Sequence, residues 1–134
     1  MEIIIGVAVF VFFAMMIAGK LIGPPKPQEM TVEAMLNRIY SESNWIIRYQ
    51  KLDFNARESS GIKKQYLDKE KYINDLQNEI INNFKKGGAS FMEPVVTRQI
   101  YLIRNGTPVS DANILALQEI IAADPTFSEK LKNL

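Results

Sequence analysis

Apolar and polar positions divide the chain into blocks of different kinds. Residues 3–19 read IIIGVAVFVFFAMMIAG, 17 residues without a charge. As a helix this run covers roughly 25 Å at 1.5 Å per residue. Lys20 interrupts it, but Leu21 and Ile22 continue it. A lysine near a helix end carries its ammonium to the headgroups while its stem stays in lipid. The usable apolar length is then about 20 residues, enough for one bilayer crossing. A helix satisfies every backbone group internally, so a lone segment can span. The expectation is therefore a transmembrane anchor over residues 1–23.

Gly23-Pro24-Pro25-Lys26-Pro27 ends that run. Proline lacks the N–H and holds the residue before it extended, so residues 24–30 read as a short stiff linker. From Thr31 the period becomes helical. Val32, Met35, Leu36, Ile39, Ile46 and Ile47 recur at three- and four-residue steps. Thr31 suits the N-cap and Glu33 the first turn. Ser43 and Gln50 break the stripe, and Tyr40, Trp45 and Tyr49 form an aromatic group suited to a core, a headgroup region or a partner. The stretch ARESSG at 56–61 is a turn between helices or the polar part of one long helix, with Ser59 and Ser60 as caps.

Residues 62–84 give the clearest soluble element. Ile62, Tyr66, Lys69, Ile73, Leu76 and Ile80 step by four and three, a heptad seam with one lysine in it. Leu67, Tyr72, Ile81 and Phe84 broaden that face beyond a coiled-coil stripe. Such breadth suits packing against several neighbours, and Ile62, Tyr66, Ile73, Leu76, Ile80 and Phe84 are the candidate partner-binding residues. Lys85-Lys86 followed by Gly87-Gly88 is a strong helix stop.

Residues 93–106, EPVVTRQIYLIRNG, admit two readings. The β-branched residues favour a short strand near 95–103, and Asn105-Gly106 suits a hairpin turn. The helical reading, which we prefer, places Pro94 in the first turn, Val96, Ile100 and Ile103 on one face, and Gly106 just past the end. Residues 111–123 continue as a helix with Ser110 or Asp111 as cap. Asp124-Pro125 breaks it, and Thr126 with Glu129 reads as a capping box for a last turn or two.

The fold expected is mainly α: one transmembrane helix, then a small all-α domain over 31–134. That domain divides into long helices at 31–86, forming a hairpin, and a C-terminal helical part at 87–134.

Composition narrows the chemistry. With no Cys and no His, zinc fingers, iron–sulfur clusters, disulfide frameworks and His-dependent nucleophile triads are excluded. Net charge of +1 leaves no footprint for nucleic acid. Asp75 and Glu79 lie one turn apart but among lysines, with no apolar pocket to raise a pKa. Gly87-Gly88 lacks the Lys-Ser/Thr of a phosphate loop. No catalytic residue, metal, cofactor or small-molecule substrate is expected.

Lys20 and Lys26 follow the apolar run and Glu2 precedes it. That bias places these lysines at the membrane interface and the C-terminal domain on the cytoplasmic, or virion-interior, side. A cleaved signal peptide is disfavoured, since Met1-Glu2 carries no side-chain cation and no small-residue cleavage pattern follows. The expected function is a non-enzymatic, membrane-anchored structural or assembly subunit. Its partners are the bilayer and other protein subunits, homo- or hetero-oligomeric, in bacterial envelope machinery or a membrane-containing virion. A membrane-tethered lysis or fusion effector of the phage spanin type is the alternative.

Overall fold

A computed structural model describes residues 30–133. The expected anchor, the linker up to residue 29, and Lys20 and Lys26 lie outside the described residues. Those described form six α-helices and one 3-10 turn, with no strand among them: α1 (Val32–Gln50), α2 (Phe54–Arg57), α3 (Ser60–Lys86), the 3-10 turn (Ser90–Met92), α4 (Glu93–Arg104), α5 (Val109–Ala123) and α6 (Phe127–Lys132). Among these residues no helix is long and apolar enough to cross a membrane.

α1 begins as its first residues dictate. The Thr31 hydroxyl accepts from the Ala34 N–H at 3.0 Å, and Glu33 lies in the first turn. Val32, Met35, Leu36, Ile39 and Ile46 are buried, whereas Ile47 is only half-buried. The stripe passes through Ser43, which is itself 1% exposed, and is completed by Tyr49.

α1 and α3 pack antiparallel as the arms of a hairpin. Between them the chain makes one short extra helix, α2. Its cap is Asp53, whose carboxylate accepts from the Ala56 N–H at 2.8 Å. Ser59 occupies the N-cap position of α3, but its hydroxyl turns back to donate to the Ala56 carbonyl at 3.1 Å. The α2 C-terminus thus takes the hydroxyl expected to cap α3. The Gly87-Gly88 stop closes as expected: Gly88 takes φ +77°, its N–H donates to the Lys85 carbonyl, and the Ala89 N–H donates to the Phe84 carbonyl at 2.8 Å. These paired bonds satisfy carbonyls that a helix end otherwise leaves open.

The segment at 93–106 is a helix, which settles the choice against a strand. Val95, Val96, Gln99, Ile100 and Ile103 are buried, a 3.6-residue period and not the alternation a strand needs. Pro94 in the first turn sacrifices no helical hydrogen bond. Gly106, at φ +98°, ends α4 with the same pair of bonds, Gly106 N–H to Ile103 and Thr107 N–H to Leu102.

Two expected caps differ. α5 starts at Val109, before Ser110 and Asp111, with Pro108 at its N-cap and no side-chain bond there; Pro108 fixes the extended approach and its carbonyl accepts from Ala112 N–H. At α6 no Thr126–Glu129 box forms. The Asp124 carboxylate instead accepts from both the Thr126 N–H (3.0 Å) and hydroxyl (2.7 Å), and these bonds, the hydroxyl's foremost, hold its pKa below the usual carboxylate range.

α4 lies against α1, α3 and α5. One apolar cluster runs through residues of all the longer helices, from Met35 and Ile39 of α1 and Leu76 of α3 to Ile100 of α4 and Leu117 of α5, and reaches Phe127 and Leu131 of α6. The core is therefore continuous across 31–86 and 87–134.

Candidate interaction surfaces

The α3 face, expected from the sequence to meet partners, divides in two. Ile73, Leu76 and Ile80 have no exposed surface and Phe84 has 4%, so these four side chains lie inside the chain's own core. The physical reason is that α1 and α4 both lie on this face and close over it. Ile62 and Tyr66, toward the α3 N-terminus, are half-buried. Tyr66 stacks on Tyr49 with ring centroids 4.5 Å apart, and Tyr49 stacks in turn on Trp45 at 5.6 Å. The aromatic group is thus a ladder bridging α1 and α3. The Tyr49 hydroxyl ties it to the α2 end by donating to the Arg57 carbonyl at 3.1 Å.

Lys69, the polar residue in the seam, has a specific partner. Its ammonium donates to the Glu42 carboxylate across the two arms and lies 5.3 Å from the centre of the Trp45 ring. Glu42 is 8% exposed and is also met by Arg38 one turn earlier, at 3.3 Å. Arg38 in turn sits 5.8 Å from the Tyr72 ring. Burial, the largest influence, pushes the Tyr72 phenol above its ordinary pKa. A carboxylate at this depth is tolerable only with cations beside it. Among the described residues three further ion pairs cross between helices: Arg104 of α4 with Glu70 of α3, Arg98 of α4 with both oxygens of Glu119 of α5, and Lys85 of α3 with Glu93 of α4 at 4.0 Å.

Hollows lie on the surface of the described residues. One, about 860 Å³, is an open apolar groove between α4 and the α5–α6 end, with Phe91, Pro94, Tyr101, Ile120 and Phe127 in its wall. A smaller one of about 290 Å³ lies between α1 and the end of α4 and is polar, with Ser43, Gln50, Arg104 and Asn105. Another, about 260 Å³, lies at the hairpin tip and is lined by Trp45, Arg48, Tyr49, Leu52, Ile62 and Gln65.

α5 is apolar nearly all round, yet it buries only the side bearing Ala112, Asn113, Ala116 and Leu117. Ile114 and Leu115 face outward at 36% and 42% exposure. At the hairpin tip Leu52 and Phe54 are exposed, Phe54 by 67%. Sequence reading passes over these two because they fall in a polar connection where no period operates.

As to chemistry, no group of three or more Asp or Glu side chains gathers to hold a metal among the described residues. The pKa shifts at exposed groups have pairing as their cause: Lys63 is raised by its hydrogen bond to Glu58, and Arg98 by its bond to Glu119. Gln99 and Asn113 are buried with no hydrogen-bond partner for their amide groups among the described residues. No known family model matches the chain, and no curated protein or solved structure shows a significant likeness to it.

Proposed function

We propose that the chain is a non-enzymatic structural or assembly subunit, held to a bilayer by residues 1–23 and presenting a helical module to other protein subunits of a membrane-associated complex. Bacterial envelope machinery and a membrane-containing virion are the settings that suit it. The observation that carries this reading is the uncharged apolar run at 3–19, joined by a Pro-rich linker to a bundle that completes its own core. Lys20 and Lys26 take the headgroup level, and the bundle lies on the cytoplasmic or virion-interior side. The bundle's available surfaces for subunit contact are the outer side of α5, with Ile114 and Leu115, and the groove flanked by Phe91 and Tyr101. Ile62 and Tyr66 remain available at the tip, whereas Ile73, Leu76, Ile80 and Phe84 support the module from within.

Chemical cross-linking in intact membranes, followed by native mass spectrometry of the solubilised chain, tests the subunit role. The expected result is a cross-linked assembly through α5 or the groove, weakened by Leu115→Asp. A monomer that cross-links to nothing overturns it. Protease protection of a C-terminal tag tests the side of the membrane, and a tag cleaved from the outside refutes the assignment.

A further inference from the structure

The hairpin tip carries two exposed apolar side chains that the bundle's own core does not use. Leu52 and Phe54 point outward from the turn between α1 and α3, 39% and 67% exposed. The same stretch of chain carries the cations Arg48, Lys51, Arg57, Lys63 and Lys64, all exposed but the half-buried Arg57, and Arg48 shares the hollow with Leu52. The carboxylates at the tip are Asp53 and Glu58, and both are engaged: Asp53 caps α2 and Glu58 meets Lys63 at 2.8 Å. The aromatic pair Trp45 and Tyr49 lies just behind, beside the 260 Å³ hollow.

The tip is also far from where the chain comes in. Met30 and Thr31 lie at the other end of α1, and 19 residues of helix separate the two ends by roughly 28 Å at 1.5 Å per residue. α4 ends beside the last turns of α1, where Asn105 shares a hollow with Gln50, and residues 51–65 lie beyond the end of α1, away from Met30 and Thr31.

We propose that this tip binds an anionic lipid surface, and that this surface is a bilayer other than the one holding residues 1–23. The second half rests on the anchoring reading; the first does not. Charge complementarity identifies the occupant: excess cations flank two apolar side chains, with indole and phenol rings behind them. That is the pattern of a segment that inserts at the headgroup boundary while lysines and arginines meet lipid phosphates. Phe54 projects from the first turn of α2 with no groove around it, and Leu52 stands at the edge of the 260 Å³ hollow, so Phe54 in particular calls for a partner that yields and closes round it. A lipid surface does so; the rigid face of a folded acidic protein does not.

The test uses the full chain reconstituted in vesicles of pure phosphatidylcholine. Flotation of those vesicles first shows whether the chain is anchored. Labelled vesicles with 30% phosphatidylglycerol, about a third anionic lipid as a probe, are then added and tethering is read by co-flotation at low and high salt. The expected result is tethering that salt weakens. Phe54→Ser should reduce it about tenfold or more. Lys51→Glu with Lys64→Glu should do likewise, since each cation near an anionic surface contributes about fivefold. Both variants should retain the helical circular dichroism of the parent.

Anchored chain without tethering, or tethering unchanged in both tip variants, overturns the tip proposal and leaves the anchor standing. If the chain does not float with the first vesicles, the anchor reading fails, and direct co-sedimentation with the anionic vesicles decides the tip. Binding to poly-glutamate with none to anionic vesicles also overturns it and points to an acidic protein.

Discussion

Lys69 offers the sharpest energetic test of how the two hairpin arms are joined. Its ammonium and the Glu42 carboxylate form a pair with side chains 27% and 10% exposed, against the Trp45 ring. Replacing Lys69 by Ala leaves Glu42 at the same depth with only Arg38, itself 47% exposed, to meet it. Breaking a fully buried ion pair by removing one partner costs about 3–5 kcal/mol. Here the pair retains some solvent and one cation stays, so the expected loss is about 2 kcal/mol. For a domain near 100 residues that corresponds to a fall in Tm of roughly 10 °C. Exchanging both partners for apolar residues of similar length, Glu42→Leu with Lys69→Met, removes the buried charge as well as its partner. The double variant should lie within about 1 kcal/mol of the parent. Urea denaturation followed by Trp45 fluorescence reads this directly, since the chain has one tryptophan and it lies at the site. A loss under about 0.5 kcal/mol for Lys69→Ala, the level of an exposed pair, or a double variant as unstable as the sum of the singles, refutes the reasoning.

Other outcomes follow from the same packing. Leu76→Ala, at a position with no exposed surface, should cost about 2–5 kcal/mol of folding stability by urea denaturation; a loss under about 1 kcal/mol would mean that this face is not core. Gly106→Ala should cost about 1 kcal/mol, because φ +98° strains any side chain while the added Cβ meets only the Ile47 Cδ1 at an ordinary 3.6 Å; an unchanged Tm contradicts the left-handed helix end. Gln99→Leu should be neutral or stabilising by up to about 1 kcal/mol, since it removes a buried amide that has no partner. A marked loss there would show that the amide is bonded in solution.

Helix content was legible where the period was strong and punctuation agreed with it. Thr31, Gly87-Gly88 and Gly106 act in the structure as their residue types require, because capping depends on neighbours a few residues away. At 93–106 the spacing of Val96, Ile100 and Ile103 outweighed β-propensity, since a packed face contributes more than intrinsic preference. What sequence could not supply was the destination of each face. The α3 seam reads the same whether Leu76 meets a foreign subunit or the chain's own α1 and α4. Lys69 carried the one warning, because a lysine in an apolar seam demands a carboxylate, but nothing local names Glu42, 27 residues away. Ser59 and Thr126 stand at the N-caps without making the expected side-chain bonds, for a related reason: a hydroxyl or carboxylate has several groups within reach, and Ser59 turns to the preceding helix while Asp124 takes the place of a capping box. Leu52 and Phe54 stand out only once the hairpin is folded and nothing covers them.

The tethering claim is tested most directly by alkaline carbonate extraction of membranes from cells making the full chain, with N-terminal sequencing of the recovered protein. The account predicts that the chain pellets with the membranes at high pH and high salt and still begins ahead of Pro24, with residues 3–19 present. Full-length chain released into the supernatant, or a mature protein trimmed before Pro24, contradicts it.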